Sequence, residues 1–591
     1  MLDVRAPGSG LLAPDGKTLF FTWAVTGVRQ IWRLDGPQRF PVQLTGGEDA
    51  TSLAGITPDG KKLLVVRDRA GEENPGLYLQ DPAGGALSPI QHVEGVQTFF
   101  EFVTDDSRYV YFRANDVAKD SFAIYRYDLA AGRRELVFGE PGLWFVADHQ
   151  KDGKLLLEKA LGNMMSEFYE LDPASHALTP LIGQGEREEY VVRYAATPGE
   201  LVVSTPKLGD HRRLYRFSLA DKKLEPVTPD DKELEEGFAM DEARTRLFYI
   251  VNDGGYARLR ALDPKTYKEV PLPALPPGDH QRVITLSRDG RYGTFAVETA
   301  TAPVRSFSYD FRDKKLVEWL LPSSPEVDTR GFAVPKLESY PARDGTPIPM
   351  FVRRPAHCQE PCPVIMAFHG GPEAQARPGL NVAAQMFVDA GFVFAEPNVR
   401  GSDGYGKSYL HADDGAKRLL VITDIEDASK FVRSAWAVGG KAPKVGVFGG
   451  SYGGYSALMA MTMFAGAYDA GVSFVGISNL LTFLKNTAPY RRALRVSEYG
   501  DPDKDADVLT KLSPTSYVER VAAPLFILQG ATDPRVPAGE SIQIYRAVKQ
   551  KGVPVDLMIF PDEGHGARKR SNQVLVYGHS IQFFQKHLGG G

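Results

Sequence analysis

The sequence predicts two unequal domains: an all-β N-terminal domain over residues 1–325, built as a seven-bladed β-propeller, and a C-terminal α/β domain over residues 326–591. Three observations predict it. From Met1 to about Phe311 a strand-and-turn pattern recurs with a period of roughly 46 residues. A Pro-rich connection from Leu320 to Pro355 then breaks that period and places the boundary near 322–332. Beyond it, short apolar strands alternate with helical stretches, the pattern of a parallel sheet covered by helices on both faces.

In the N-terminal half, seven turn signals recur: Asp15-Gly16, Asp59-Gly60, Asp105-Asp106, Asp152-Gly153, Pro198-Gly199, Asp241-Glu242 and Asp289-Gly290. Each precedes a run of strand character, such as KLLVV at 62, RYVYF at 108 and RLFYI at 246. A second series keeps step with the first, including IWRLD at 31, IYRYD at 124 and LYRFS at 214. The period lies within the roughly 40 to 50 residues of a four-stranded propeller blade, and no long helical pattern interrupts it. A β-sandwich array, or a ring of six or eight blades, is the alternative.

Composition narrows the function classes. With 43% hydrophobic residues, 24% charged residues and a formal net charge of -5, no excess of one sign is available to hold a polyanion, so nucleic acid is not expected as a partner. The N-terminus has no basic patch followed by an apolar run, and no stretch approaches the roughly 18 apolar residues of a membrane span. A cytoplasmic chain without membrane partners is expected, and assembly into a homo-oligomer is compatible with the sequence. The two cysteines, Cys358 and Cys362 in CQEPC, are too few for a disulfide framework and incomplete as a zinc site. Both are expected to be reduced, with a local disulfide as the alternative. No metal or other cofactor is implied.

The C-terminal strands are PVIMAFHGG, GFVFAEPN, KVGVFGGS, GVSFVGIS, PLFILQG and VDLMIF. KVGVFGGSYGGYSALMAM sets Gly449-Gly450-Ser451-Tyr452-Gly453 between a buried strand and an apolar helix, the context of a nucleophile elbow. A serine hydroxyl needs a base to take its proton and a carboxylate to orient that base. Asp533 follows one strand in PLFILQGATDPRVP, and His565 follows the next in VDLMIFPDEGHG. Both lie at the same end of the sheet as Ser451. Asp562 is the rival acid and reads as a turn residue; His369, His411 and His579 are rival bases with structural or surface roles. Charge developing on a carbonyl oxygen needs donors, and the backbone N–H groups of Tyr452 and of Gly371, in AFHGGP, are the candidates.

With these residues on the page, the chain resembles the prolyl oligopeptidase family of serine peptidases. NVRGSDGYG from Asn398 to Gly406, GGSYGGY, GATDPRVP and DEGHG carry the resemblance, in the family's order. It implies an N-terminal propeller joined to a C-terminal α/β-hydrolase domain, and a peptidase of short peptides. HGGP at 369–372 resembles the acylaminoacyl-peptidase branch, which implies backbone donors in place of a tyrosine hydroxyl; exopeptidase activity, including removal of C-terminal residues, falls within that branch. Two departures stand out. The first repeat begins almost at Met1, so the N-terminal segment of many members is expected to be missing. The adjacent pairs Glu72-Glu73, Glu188-Glu189 and Glu235-Glu236 read as solvated charge, not as the amine-binding pair of dipeptidyl members.

NTAPYRRALRVSEYGDP, from Asn486 to Pro502, is expected at the pocket mouth, with Arg491 and Arg492 as candidates to bind a substrate carbonyl or terminal carboxylate. An esterase using the same three residues, and a binding protein with an inactive hydrolase domain, are the competing functions.

Overall fold

The structure is a computed structural model that describes residues 1–589 apart from Arg5, Ser323 and Pro325. The boundary expected at residue 325 therefore falls outside the described residues.

Residues 11–320 form successive antiparallel sheets. Five are four-stranded, spanning 11–43, 51–91, 98–138, 143–182 and 191–226. Three strands over 233–262 and four over 280–320 follow, joined into one seven-stranded sheet by a single parallel pairing of Ala257 with His280. The recurring turns have a common chemistry. Asp15, Asp59, Asp106, Asp152 and Asp289 each accept, through Oδ1, the backbone N–H two residues on, at 2.9, 3.1, 3.0, 3.2 and 3.0 Å. An aspartate that closes its own turn fixes where each strand begins.

Apolar residues of neighbouring sheets pack against each other, as where Leu156 and Phe168 meet Val192, Val203 and Tyr215. The last sheet returns to the first. Leu19, Phe21 and Leu34 pack with Trp319 and Leu320, and the Gln38 N–H donates to the Trp319 carbonyl at 3.0 Å.

Residues 336–560 supply one eight-stranded sheet. Its order is Lys336–Pro341, Pro347–Arg353, Val393–Pro397, Val364–Phe368, Val445–Gly450, Ala470–Phe474, Leu525–Gly530 and Val555–Phe560. The first two pairings are antiparallel and the rest parallel. Alternate residues of Val364–Phe368 enter different cores. Val364, Met366 and Phe368 face one, Ile365 and Ala367 the other, as expected for a strand covered on both faces.

Cys358 and Cys362 are joined in a disulfide. This corrects the expectation of two reduced thiols: the short loop between them brings its ends together, which a cysteine count alone does not reveal. Among the described residues no helix is long and apolar enough to cross a membrane.

Candidate active site

Strand Val445–Gly450 runs into Ser451, and helix Tyr452–Met461 starts immediately after it. Ser451 has φ 59° and ψ −119°, a conformation L residues rarely adopt, held in place by the packing around it. The flanking glycines are required by space. A Cβ on Gly449 would lie 2.2 Å from the Gly453 carbonyl oxygen, and one on Gly453 would lie 1.9 Å from that of Phe368. Every position of the helix is buried, matching its apolar composition.

His565 joins the two other residues. Its Nε2 is 2.9 Å from Ser451 Oγ and its Nδ1 is 2.8 Å from Asp533 Oδ2. An ionised carboxylate only accepts, so Nδ1 carries the proton and Nε2 is left to accept from the serine hydroxyl. Asp533 is buried, and its Oδ1 accepts the N–H groups of Arg535 at 2.8 Å and Val536 at 3.0 Å, which fixes the carboxylate. The loops carrying Asp533 and His565 follow neighbouring parallel strands in register at Gly530 and Phe560, which is why residues 32 apart in sequence meet.

Three of the four rival side chains have other partners, and the fourth, His579, is exposed on helix Arg570–Leu588. His369 Nε2 is 2.9 Å from Ser402 Oγ and its Nδ1 is 2.8 Å from the Gly370 carbonyl. His411 pairs with Asp414 at 3.0 Å, and Asp562 accepts from Lys569 and Asn572.

Two backbone segments approach Ser451. The N–H of Tyr452 opens a helix, where the first N–H groups lack an intrahelical acceptor. The other side is the turn after Val364–Phe368: a Cβ on Gly370 would stand 3.3 Å from Ser451 Cβ, and the next residue, Gly371, has φ 134°. Arg495 donates to the Gly371 carbonyl at 3.3 Å and lies 3.7 Å from Glu373. Asn163, at the tip of a hairpin in the N-terminal half, donates to Glu373 through its side chain, and its backbone N–H donates to Ser497 Oγ at 3.0 Å. Sequence reasoning missed Arg495, Glu373 and Asn163.

Of the two candidate arginines, the structure brings only Arg491 to an open space. It lines a cavity of about 720 Å³ between helix Pro489–Tyr499 and the N-terminal half, a cavity that also takes in Arg535 and Arg568 from the loops of Asp533 and His565. Arg492 is exposed and donates to the Lys485 carbonyl, because one residue along a helix turns the side chain about 100° away. Burial, followed by the charges of Arg495 and Arg535, pushes the Arg491 guanidinium down to about 10.

The glutamate pairs are not simply solvated. Glu73 accepts from Arg535 at 2.7 Å, Glu188 from Lys407 at 3.0 Å, Glu235 from Arg377 at 2.6 Å, and Glu189 is buried against Arg212 at 2.7 Å. Packing between sheets and between the two halves brings arginine or lysine to each pair, which adjacency in sequence does not disclose.

Comparison with known proteins bears on this arrangement. Residues 378–591 match the model of the prolyl oligopeptidase family. Dipeptidyl aminopeptidase BIII of Pseudoxanthomonas mexicana is 28% identical over 98% of this chain and 86% of its own length. Dipeptidyl peptidase family member 6 of Caenorhabditis elegans is 34% identical over 48% of this chain, and the human acylamino-acid-releasing enzyme 26% identical over 38%. The chain spans 38% and 32% of the lengths of these last two. Among solved structures, a prolyl endopeptidase superposes with a TM-score of 0.86 at 19% identity, covering 100% of this chain and 90% of its own. A puromycin hydrolase superposes with a TM-score of 0.84 at 19% identity, covering 100% and 96%.

Proposed function

We propose that the chain is a serine peptidase of the prolyl oligopeptidase family that cleaves short oligopeptides through Ser451, with His565 as general base and Asp533 as the acid that orients it. The observation that carries this reading is the unbroken hydrogen-bond path from Ser451 Oγ through His565 to Asp533, at 2.9 and 2.8 Å. Oγ attacks the scissile carbonyl while Nε2 takes its proton, and the resulting imidazolium is stabilised by Asp533. The oxyanion accepts from the N–H groups of Tyr452 and Gly371. The tetrahedral intermediate collapses as His565 gives its proton to the leaving amine, leaving an ester on Ser451. Water, deprotonated by His565, then releases the acyl half and restores the serine hydroxyl.

The architecture that goes with this reading is a seven-bladed propeller over residues 1–325, with the three-stranded and four-stranded halves of the joined sheet counted as separate blades, and a catalytic domain over 326–591. The restriction to short peptides follows from how closely the two halves approach at the site. Thr532 donates to the Ala70 carbonyl at 2.8 Å, and a Cβ on Gly564 would lie 1.9 Å from the Gly71 oxygen. The relatives named for dipeptidyl and acylamino-acid release favour cleavage near a chain end, and the backbone-only donors at Gly371 favour the acylaminoacyl-type branch.

A panel of free, N-acetylated and C-amidated peptides of increasing length, read by mass spectrometry, tests the proposal. Cleavage of short members by the native protein, and a loss of roughly 10⁴-fold or more in turnover in Ser451→Ala, is the expected result. Undiminished cleavage in Ser451→Ala, or equal turnover of folded casein-sized proteins, contradicts it.

A further inference from the structure

The cavity beside the site has an unbalanced charge. Five arginines line it, Arg29, Arg113, Arg491, Arg535 and Arg568, against two carboxylates, Asp68 and Glu73. Both carboxylates are already engaged. Asp68 accepts the N–H groups of Glu73 and Asn74, each at 3.1 Å, and Glu73 accepts from Arg535 at 2.7 Å and Arg568 at 3.4 Å. Arg113 is held by Glu101, and its guanidinium lies 4.6 Å from the ring of Phe99 and 4.4 Å from that of Phe145. Arg29 is exposed at the rim.

Arg491 differs from the other four. Among the described residues its guanidinium has no hydrogen bond or ion pair, although it is withdrawn from solvent. It also stands in the first turn of the eleven-residue helix Pro489–Tyr499, a turn that carries no acidic residue. The positive end of a helix disfavours a cation there. Three unfavourable terms therefore meet on one guanidinium: burial, the helix end, and the neighbouring charges of Arg495 and Arg535, which the weaker attractions of Tyr490 and Glu73 do not cancel. An anion entering the cavity would relieve all three at once. The Tyr490 side chain lines the same wall and adds an O–H donor.

We propose that Arg491, together with Arg535 and Arg568, receives a carboxylate of the peptide substrate, so that the enzyme selects peptides bearing a negative charge close to the scissile bond. The proximity follows from chain connectivity. Arg535 lies two residues beyond Asp533, whose carboxylate accepts the Arg535 N–H, and Arg568 lies three beyond His565. A planar guanidinium can take a carboxylate through two parallel hydrogen bonds. Glu73 accepts from the other two arginines, and a substrate carboxylate shares them with it. The same charge excess disfavours a free substrate amine in this space. The inference rests on the peptidase reading above and adds the chemistry of the preferred substrate.

The carboxylate can come from an Asp or Glu side chain or from a free chain end, and three peptide series separate the sources. One has an acidic side chain and an amidated end, one has neutral side chains and a free C-terminus, and one has neutral side chains and an amidated end. For the native protein, kcat/KM for at least one carboxylate series should exceed that for the neutral amidated series by about 10-fold, the effect of one hydrogen bond to a charged group. In Arg491→Gln that ratio should fall towards one, and Arg491→Lys should retain part of it. Labelling of Ser451 by a fluorophosphonate reports that each variant is folded. A native ratio of one or below overturns the inference, as does an unchanged ratio in both variants. No cleavage of any series would instead overturn the peptidase reading itself.

Discussion

Ser451 holds its strained backbone because its neighbours leave it no alternative: glycine at 449 and 453 lets strand, helix and Phe368 close on one another, and Gly370 comes up against its Cβ. His565 and Asp533 follow from strand ends, so their roles can be tested one at a time. Replacing Asp533 by Asn keeps the shape and the bonds from Arg535 and Val536, but the side chain then offers an N–H to Nδ1 and favours the wrong imidazole tautomer. Turnover in Asp533→Asn should fall about 10³- to 10⁴-fold with an unchanged unfolding midpoint. A loss smaller than about tenfold would remove Asp533 from the role given to it. At this scale the three side chains that meet were legible as candidates, since Ser451, Asp533 and His565 each sit in a short motif directly after an apolar strand. Arg495 was not readable, because its contact is with the Gly371 carbonyl 124 positions earlier and no local pattern marks it.

Strands and sheets carry a different kind of signal. The aspartate turns repeat with the sheets, so the strand runs of the N-terminal half were visible before their pairing. The single parallel pairing of Ala257 with His280 was not, because it depends on how the connection 263–279 packs. Glu158 shows what packing adds. It lies on strand Leu155–Gly162, opposite Phe145 and Phe168 on the neighbouring strands. Burial pushes its carboxyl up to about 7, with Glu236 and Glu101 adding to the rise and Arg193 and Arg113 opposing it. The folded state therefore holds this proton more tightly than the unfolded chain. Its stabilising contribution is present below the ordinary carboxylate range and is lost as pH rises through about 7. Glu158→Gln removes the dependence. Melting curves from about pH 5 to about pH 8 should show the variant gaining on the native protein as pH rises. A difference independent of pH would contradict this assignment.

In the whole molecule, the N-terminal half contributes to the site. Ala70, Gly71 and Glu73 meet the loops of Asp533 and His565, and Asn163 meets Ser497 and Glu373 beside the Gly371 turn. Some of these contacts join residues 462 positions apart, which is why no local pattern in the sequence marks the junction. The arginine-lined cavity lies along that junction, so the preference for short peptides and the preference for a carboxylate have one origin, the fit of one half onto the other. All of this depends on Ser451 being the nucleophile. The most direct measurement is to label the native protein with a fluorophosphonate, digest it and locate the adduct by mass spectrometry. The adduct should map to Ser451 and disappear in Ser451→Ala. An adduct on another residue, or labelling that persists in Ser451→Ala, would contradict it.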